Sequence, residues 1–138
     1  MKDRSVRLYD TSAFLNLLLN NGSKSLISMH GQAVLDLTTY ELGNSIWRIS
    51  HLQKKITKTE AVSLLSACLQ VISYMRVLDI KGLEGDVLAL SSDNGGSFYD
   101  SSYLAVAKKH TLELITDDKK LLRTALSYRI RASTSDRL

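Results

Sequence analysis

The order of apolar segments in this chain predicts a three-layer α/β/α sandwich around a mainly parallel sheet of four to five strands. Short apolar runs of strand length alternate along the sequence with longer segments whose apolar residues recur at helical spacing. Strands that alternate with helices form βαβ crossovers, which join parallel strands and place helices on both faces of the sheet. A chain of 138 residues can bury a core of this kind, so one domain over residues 1–138 is expected.

Two strand–helix units are expected in the first half of the chain. Thr11 or Ser12 can cap the first helix, which stops at an Asn-Asn-Gly sequence. Thr38 and Glu41 match the Thr-x-x-Glu capping box of a later helix. The predicted elements are, in order, a strand at 6–10, a helix at 12–20, a short helix at 23–30, a strand at 33–37 and a helix from Thr38 to about residue 51.

The second half continues the alternation with a long amphipathic helix that either Thr57 or Thr59 can cap. Its apolar residues are expected to form a stripe facing the core, made of Val62, Leu65, Leu69, Ile72 and Met75. The glycine pair at 95–96 ends a later helix. The predicted elements are the helix up to 75, a strand at 77–80, helices at 82–94 and 98–109, a strand at 112–116, a helix at 117–126 and an edge strand at 128–132.

The composition is that of an ordinary globular protein with a modest basic excess. Hydrophobic residues make up 44% and charged residues 23%, and no apolar run approaches the roughly 20 residues that span a bilayer. The single cysteine, Cys68, lies at helical spacing among apolar residues and is expected to be buried; it agrees with a reducing cytoplasm. The net charge of +4 is compatible with attraction to nucleic-acid phosphates but does not establish it.

Four acidic residues stand where a predicted strand ends or a predicted helix begins. Asp10 ends the first strand, Glu41 and Asp100 lie in first helical turns, and Asp118 follows the strand LELIT. The carboxyl ends of parallel strands meet at one edge of the sheet, so these four side chains are expected to converge. Any single acid near a helix N-terminus is explained by the helix dipole. Four together would repel one another unless a cation neutralised them, and they therefore predict a site for a hard divalent metal.

The same segments resemble a known family. LYDTSAF, TTYELGNSIW, YDSSYLAVA and LITDDKKLL, in this order and spacing, are similar to the four motifs of PIN-domain nucleases, and are closest to the small VapC-type toxins of toxin–antitoxin pairs. The resemblance covers nearly the whole chain. It implies a flavodoxin-like arrangement of strands and a Mg²⁺- or Mn²⁺-dependent endoribonuclease that hydrolyses RNA phosphodiester bonds. It also implies a cognate antitoxin as partner, and many such toxins form homodimers.

By the same resemblance, the catalytic and metal-binding acids would be Asp10, Glu41, Asp100 and Asp118. The hydroxyl of Ser12, or less favourably that of Thr11, would support a metal-bound water. The family's Thr-x-Asp pattern matches Thr116 and Asp118, which leaves Asp117 as a helix N-terminal charge or an auxiliary ligand. Thr116 would orient a carboxylate or cap the helix.

The chemistry is consistent with these residue types, and some alternatives stay open. Mg²⁺ prefers oxygen ligands, keeps several waters, and can lower the pKa of a bound water for attack on a phosphodiester; one-metal and two-metal versions both remain possible. A catalytically silent PIN module that binds RNA or protein is the main alternative. Receiver-type phosphoacceptors and haloacid-dehalogenase-type phosphatases fit poorly, because no second acid lies beside Asp10 or two residues after it.

Overall fold

A computed structural model describes residues 6–138, in which five short strands form one sheet between two layers of helices. The strands are β1 (Arg7–Tyr9), β2 (Ala33–Leu35), β3 (Arg76–Leu78), β4 (Glu113–Ile115) and β5 (Ala132–Ser133). The helices are α1 (Thr11–Asn21), α2 (Ser25–Met29), α3 (Asp36–Trp47), α4 (Lys58–Ile72), α5 (Glu84–Asn94), α6 (Phe98–His110) and α7 (Lys119–Ser127). A π-helical turn, Arg48–Leu52, extends α3, and 3₁₀ turns lie at Gly22–Lys24 and Ser135–Arg137.

All strand pairs in the sheet are parallel, and the strand order is β3-β2-β1-β4-β5. The predicted three-layer α/β fold with a parallel sheet is therefore confirmed, although flavodoxin itself has the order 2-1-3-4-5. From β1 the chain builds the sheet in one direction through β2 and β3, then returns to place β4 and β5 on the other side of β1. The winding direction thus changes between β1 and β4, and open α/β sheets bind ligands at the carboxyl ends of the strands at such a point.

Side chains of successive strand residues enter two separate cores because they point to opposite faces of the sheet. On one face, Tyr9 and Ile115 pack with α1, α2, α3 and α4. On the other face, Leu8 and Leu114 pack with α6 and α7, and α5 adds partly buried residues. The strands therefore read as continuous apolar runs, as expected for a sheet covered on both sides.

The starts of α1 and α3 lie earlier in the chain than predicted, and Glu41 is therefore the sixth residue of α3 instead of a residue of its first turn. Asp10, rather than Thr11 or Ser12, caps α1: its carboxylate accepts a hydrogen bond from the backbone N–H of Ala13. The predicted strand at 33–37 ends at Leu35, and α3 begins at Asp36 instead of after Thr38. Thr38 still serves the helix start, because its hydroxyl accepts a hydrogen bond from the backbone N–H of Leu35.

The apolar stripe predicted for the long helix is partly wrong. Thr57 caps α4 and forms a capping box with Glu60, which decides between the two predicted caps. Val62 and Leu69 are exposed, at 62% and 44% of their surface, whereas Cys68 is buried as predicted. Ile72 is buried as predicted, and Leu65 and Met75 are partly buried against the core. Because Cys68 and Val71 are buried where Leu69 and Val62 are exposed, the helix is rotated by about one residue from the expected orientation.

The last predicted strand was placed too early. Residues 128–131 turn through Arg129, which has a positive φ of 60°, and β5 begins only at Ala132. In the described part of the chain, no helix combines the length and apolar character needed to cross a membrane.

Candidate active site

The four predicted acids line one cleft of about 590 Å³ at the carboxyl ends of β1 and β4. Asp10 caps α1, Glu41 projects from α3, Asp100 lies in the first turn of α6, and Asp118 caps α7. The structure thus brings side chains from four helices to one place. A cleft of similar volume, about 620 Å³, lies between α5 and α6, and none of these acids lines it.

Asp10 lies at the bottom of the cleft and is held by three hydrogen-bond donors. Its Oδ1 accepts from Ser12 Oγ at 2.7 Å and from the backbone N–H of Ala13 at 2.9 Å, and its Oδ2 accepts from the hydroxyl of Thr116. Burial raises the pKa of this carboxyl to about 6, and the charge of Glu41 contributes, because the hydrogen bonds compensate only part of the lost hydration. A nearby cation would remove that penalty.

Glu41 is oriented by two hydroxyl groups. Its Oε1 accepts hydrogen bonds from Thr11 Oγ1 at 2.8 Å and from Tyr103 Oη at 2.7 Å. Tyr103 is buried, and this burial together with the Glu41 charge raises the pKa of its phenol, so it remains a donor. Because the Tyr103 hydroxyl donates its hydrogen bond to Glu41, it accepts a hydrogen bond from Thr38 Oγ1, which lies 2.8 Å away. Thr38 Oγ1 in turn accepts a hydrogen bond from the backbone N–H of Leu35. This chain of donors fixes the carboxylate from the end of β2.

Asp100 is the least restrained of the four acids. It is half-buried, and none of the described residues donates a hydrogen bond to its carboxylate. Burial raises the pKa of Asp100, and the charges of Asp118 and Glu41 raise it further, while Lys120 opposes them. This carboxylate therefore faces like charges with its oxygens available to a ligand.

The two neighbouring acids of the fourth motif have different surroundings. Asp118 lines the cleft and caps α7, with Oδ1 accepting from the backbone N–H groups of Lys120 and Leu121. Asp117 instead accepts hydrogen bonds from the backbone and hydroxyl of Ser135 and from Asn16 Nδ2. Burial acts to raise the pKa of Asp117, but these hydrogen bonds outweigh it and lower the pKa. Asp117 thus ties the C-terminal 3₁₀ turn to α1, outside the acidic cleft.

Ser12 and Thr116 link the first and fourth motifs through Asp10. Each hydroxyl donates to one oxygen of Asp10 and accepts a backbone N–H in return, from Asp117 to Ser12 at 3.0 Å and from Asp118 to Thr116 at 3.1 Å. Both hydroxyls are thereby committed to positioning the carboxylate and the start of α7. Of the two roles predicted for Thr116, the structure shows the first, because its hydroxyl orients the carboxylate of Asp10. The cap of α7 is Asp118 and not Thr116.

The charge balance of the cleft fits a divalent cation. Within residues 6–138, the one ion pair within 4 Å joins Arg7 to Glu113, so no basic side chain neutralises the four cleft acids at that distance. All the acidic donors are hard oxygen ligands, the type that Mg²⁺ and Mn²⁺ accept. In the same residues, however, no three His, Cys, Asp or Glu side chains are arranged to hold one ion together. The arrangement fits an ion bound by one or two carboxylates, with water completing its coordination.

Sequence reasoning missed several residues of the cleft. Tyr103 lines the cleft, and the buried Thr38 contacts it from behind through a hydrogen bond. Both were recognisable in principle, because Tyr103 lies one helical turn after Asp100 and Thr38 one turn before Glu41. Tyr40 and Trp47 are both exposed, and Tyr40 lines the cleft. The remaining lining residues divide into two groups: Asn44, Ser45 and Tyr99 lie inside the matching motifs, whereas Leu15, Asn16, Leu37 and Arg48 lie outside them.

Comparison with known sequences gives one family and two curated relatives. Residues 7–126 match the sequence model of the PIN domain family. The chain is 33% identical over 90 residues to Exonuclease VapC9 and 30% identical over 88 residues to Ribonuclease VapC3, both from Pyrobaculum aerophilum. These alignments cover 65% and 63% of this chain and 64% and 66% of the relatives, so the chain spans just under two thirds of their length.

Comparison with solved structures supports the fold. The crystal structure of PAE2754 from Pyrobaculum aerophilum superposes with a TM-score of 0.78 and 26% sequence identity. The superposition covers 96% of this chain and 91% of that protein. The likeness extends over the sheet and both helix layers.

Proposed function

Because the chain belongs to the PIN domain family, which its residues 7–126 match, we propose that it is a Mg²⁺- or Mn²⁺-dependent endoribonuclease. One observation carries this proposal. Asp10, Glu41, Asp100 and Asp118 line a single open cleft with no cation paired to them at ion-pair distance in the described residues. Such an arrangement is electrostatically unfavourable without a metal, and it is suited to holding one beside a phosphodiester.

The proposed ligands differ in the freedom of their carboxylates. Asp10 is held by three donors and so offers a fixed position, whereas Asp100 has oxygens without donors and can adjust to a ligand. These two are the proposed direct ligands, and Glu41 and Asp118 act directly or through water. A bound divalent ion would neutralise the acids and the charge that develops on the scissile phosphoryl group.

The remaining cleft residues suggest how RNA is held and how water is oriented. Arg48 is the one basic residue among residues 6–138 that lines the cleft, and we assign it to an RNA phosphate. Glu41 is fixed by Thr11 and Tyr103 and has its other oxygen free of bonds from described residues. We propose that this oxygen orients the attacking water toward the phosphorus atom.

The biological setting is also a proposal. The names of the two relatives, with the motif resemblance to VapC-type toxins, support a toxin that acts on RNA in the cytoplasm and is inhibited by a cognate antitoxin. A homodimer is part of the same proposal. Since the sheet and both helix layers extend over residues 6–138, we also propose that the chain forms one PIN domain.

The test is RNA cleavage by matched variants of the fourth motif. Asn caps helices as well as Asp does, so Asp118→Asn removes a cleft charge and keeps the cap of α7. We expect Asp118→Asn and Asp100→Asn to lower cleavage in Mn²⁺ by at least tenfold. Asp117→Asn is expected to keep the activity and lose stability, because the Asp117 side chain does not line the cleft and its partner Ser135 belongs to the C-terminal 3₁₀ turn.

Two further results decide the details of the proposal. A circular RNA substrate separates the proposed internal cleavage from an exonuclease, because a circle has no end to attack. Intact circles beside degraded linear RNA would overturn the endonuclease assignment. Failure to bind Mn²⁺ at millimolar concentration, together with unchanged cleavage in the Asp100→Asn variant, would reject the metal site. RNA binding without cleavage would favour the silent PIN module.

A further inference from the structure

A shallow apolar hollow of about 240 Å³ lies beside the acidic cleft and is bordered by three exposed aromatic side chains. Tyr40 comes from α3, and Phe98 and Tyr99 come from the start of α6; the apolar lining is completed by Leu35, Leu37 and Ile80. Tyr40 is 79% exposed and Tyr99 60% exposed. Three of the nine aromatic residues of the chain thus surround one small concavity, where packing in the core does not account for them.

The hollow is continuous with the acidic cleft. Leu37, Tyr40 and Tyr99 line both cavities. In addition, Tyr40 directly precedes Glu41 and Tyr99 directly precedes Asp100, so each tyrosine backbone lies one Cα–Cα step, about 3.8 Å, from an acid of the cleft. A group that occupies the hollow is therefore adjacent to whatever lies against the acids.

We propose that the hollow is a nucleobase subsite, which receives one unpaired base next to the scissile phosphate. The inference rests on the proposed function, since the acids must hold a phosphodiester for its neighbouring base to reach the hollow. Aromatic side chains stack on the faces of unpaired bases, and bases in a duplex have those faces covered. The substrate selected at this position is single-stranded RNA.

In the part of the chain that the structure describes, one charged residue lines the hollow, and its charge favours a base over the other parts of a nucleotide. Asp36 is exposed and begins α3, and its carboxylate repels a phosphate group. The same carboxylate oxygens can accept hydrogen bonds from the N–H groups of a base. Apolar and aromatic side chains together with one carboxylate acceptor match the chemistry of a base and not that of a sugar–phosphate chain.

The experiment measures RNA binding by fluorescence anisotropy while the two tyrosines of the protein and the bases of the probe are removed separately and together. The full chain carries Asp100→Asn so that the probe is not cleaved during the measurement. The probes are a short single-stranded oligoribonucleotide and an abasic ribose–phosphate oligomer of equal length and charge. Adding Tyr40→Ala and Tyr99→Ala is expected to weaken binding of the first probe by about tenfold to a hundredfold and to leave the second unchanged. Phenylalanine at both positions should retain the binding.

A matched control and two contrary outcomes complete the test. Tyr74 is also exposed but lines neither cavity, so Tyr74→Ala should leave both probes unaffected. An equal loss of affinity for both probes would overturn the proposed base subsite. No loss of affinity for either probe would also overturn it, and would favour a protein partner as the occupant of the hollow. Cleavage of RNA by the unmodified chain is measured separately, so the subsite can fail while the proposed nuclease function stands.

Discussion

Asp10 shows how one residue can serve both the fold and the proposed chemistry. Its carboxylate caps α1 and receives hydroxyl groups from the first and fourth motifs, yet its burial opposes ionisation. The hydrogen bonds fix its position, and the unfavourable charge remains for a cation to compensate. The cost of burying this charge lowers the stability of the folded chain.

The pKa of Asp10 gives a stability prediction with a defined sign. Its folded pKa of about 6 lies above the ordinary aspartate pKa of 3.8, so protonated Asp10 stabilises the folded state below pH 3.8, and this stabilisation is lost as the pH rises through 6. At pH 7 in EDTA, Asp10→Asn should increase the free energy of unfolding by about 1–3 kcal/mol, and near pH 4 the gain should largely vanish. Denaturant unfolding of both proteins measures it.

Metal provides the control for that comparison. Mn²⁺ at pH 7 should stabilise the wild-type chain and have a much smaller effect on the Asn variant, because a ligand that binds only the folded state raises stability. If the Asp10→Asn variant is less stable than the wild-type chain in EDTA at pH 7, burial of the Asp10 charge does not destabilise the folded state as proposed.

Tyr103 is predicted to act through Glu41. Tyr103→Phe keeps the buried ring but removes the donor to Glu41 and leaves the hydroxyl of Thr38 without its acceptor. We expect kcat or Mn²⁺ affinity to fall by about tenfold to a hundredfold, with little change in KM for RNA. The matched control is Tyr128→Phe, which removes a hydroxyl bonded to Asp93 outside the cleft and should leave both constants unchanged.

At this scale the sequence indicated which acids to examine, because carboxylates beside apolar segments are rare and their order matched a family. It did not reveal Tyr103, whose apolar neighbours made core packing the natural interpretation. Its ring is indeed in the core, and only the three-dimensional position of the hydroxyl shows its bond to Glu41.

At the level of elements, the N-termini of the helices position three of the four acids in the cleft. α1, α6 and α7 each begin at a strand end or a tight turn that points the first helical turn into the cleft, and their caps are Asp10, Ser97 and Asp118. The sequence predicted the elements better than their ends. Thr38 and Glu41 matched a capping box, but the stronger constraint is the end of β2 at Leu35, which starts α3 at Asp36.

The cap of α4 offers an element-scale prediction away from the cleft. Thr57 accepts a hydrogen bond from the backbone N–H of Glu60, so Thr57→Ala should lower the free energy of unfolding by about 0.5–2 kcal/mol without affecting cleavage. Thr59 lies inside the helix, and Thr59→Ala should have little effect on stability because alanine favours helix. Denaturant midpoints of the two variants test this; equal losses would be inconsistent with the assigned cap.

For the whole molecule, the strand order explains why residues far apart in sequence share a site. β1 and β4 are neighbours at the change in winding direction, and the segments that follow them carry Asp10 and Asp118. Alternation of strands and helices was enough to predict a parallel sheet, because crossovers constrain the topology. It was not enough to predict the strand order or the rotation of α4, since both depend on packing between distant segments.

The central claim is that these four carboxylates form a metal site, and a crystal soaked in Mn²⁺ tests it most directly. Anomalous diffraction is expected to place the ion in the cleft, in contact with a carboxylate oxygen of Asp10 or Asp100 and with water. An ion bound elsewhere, or an empty cleft at a saturating concentration of Mn²⁺, would contradict the claim.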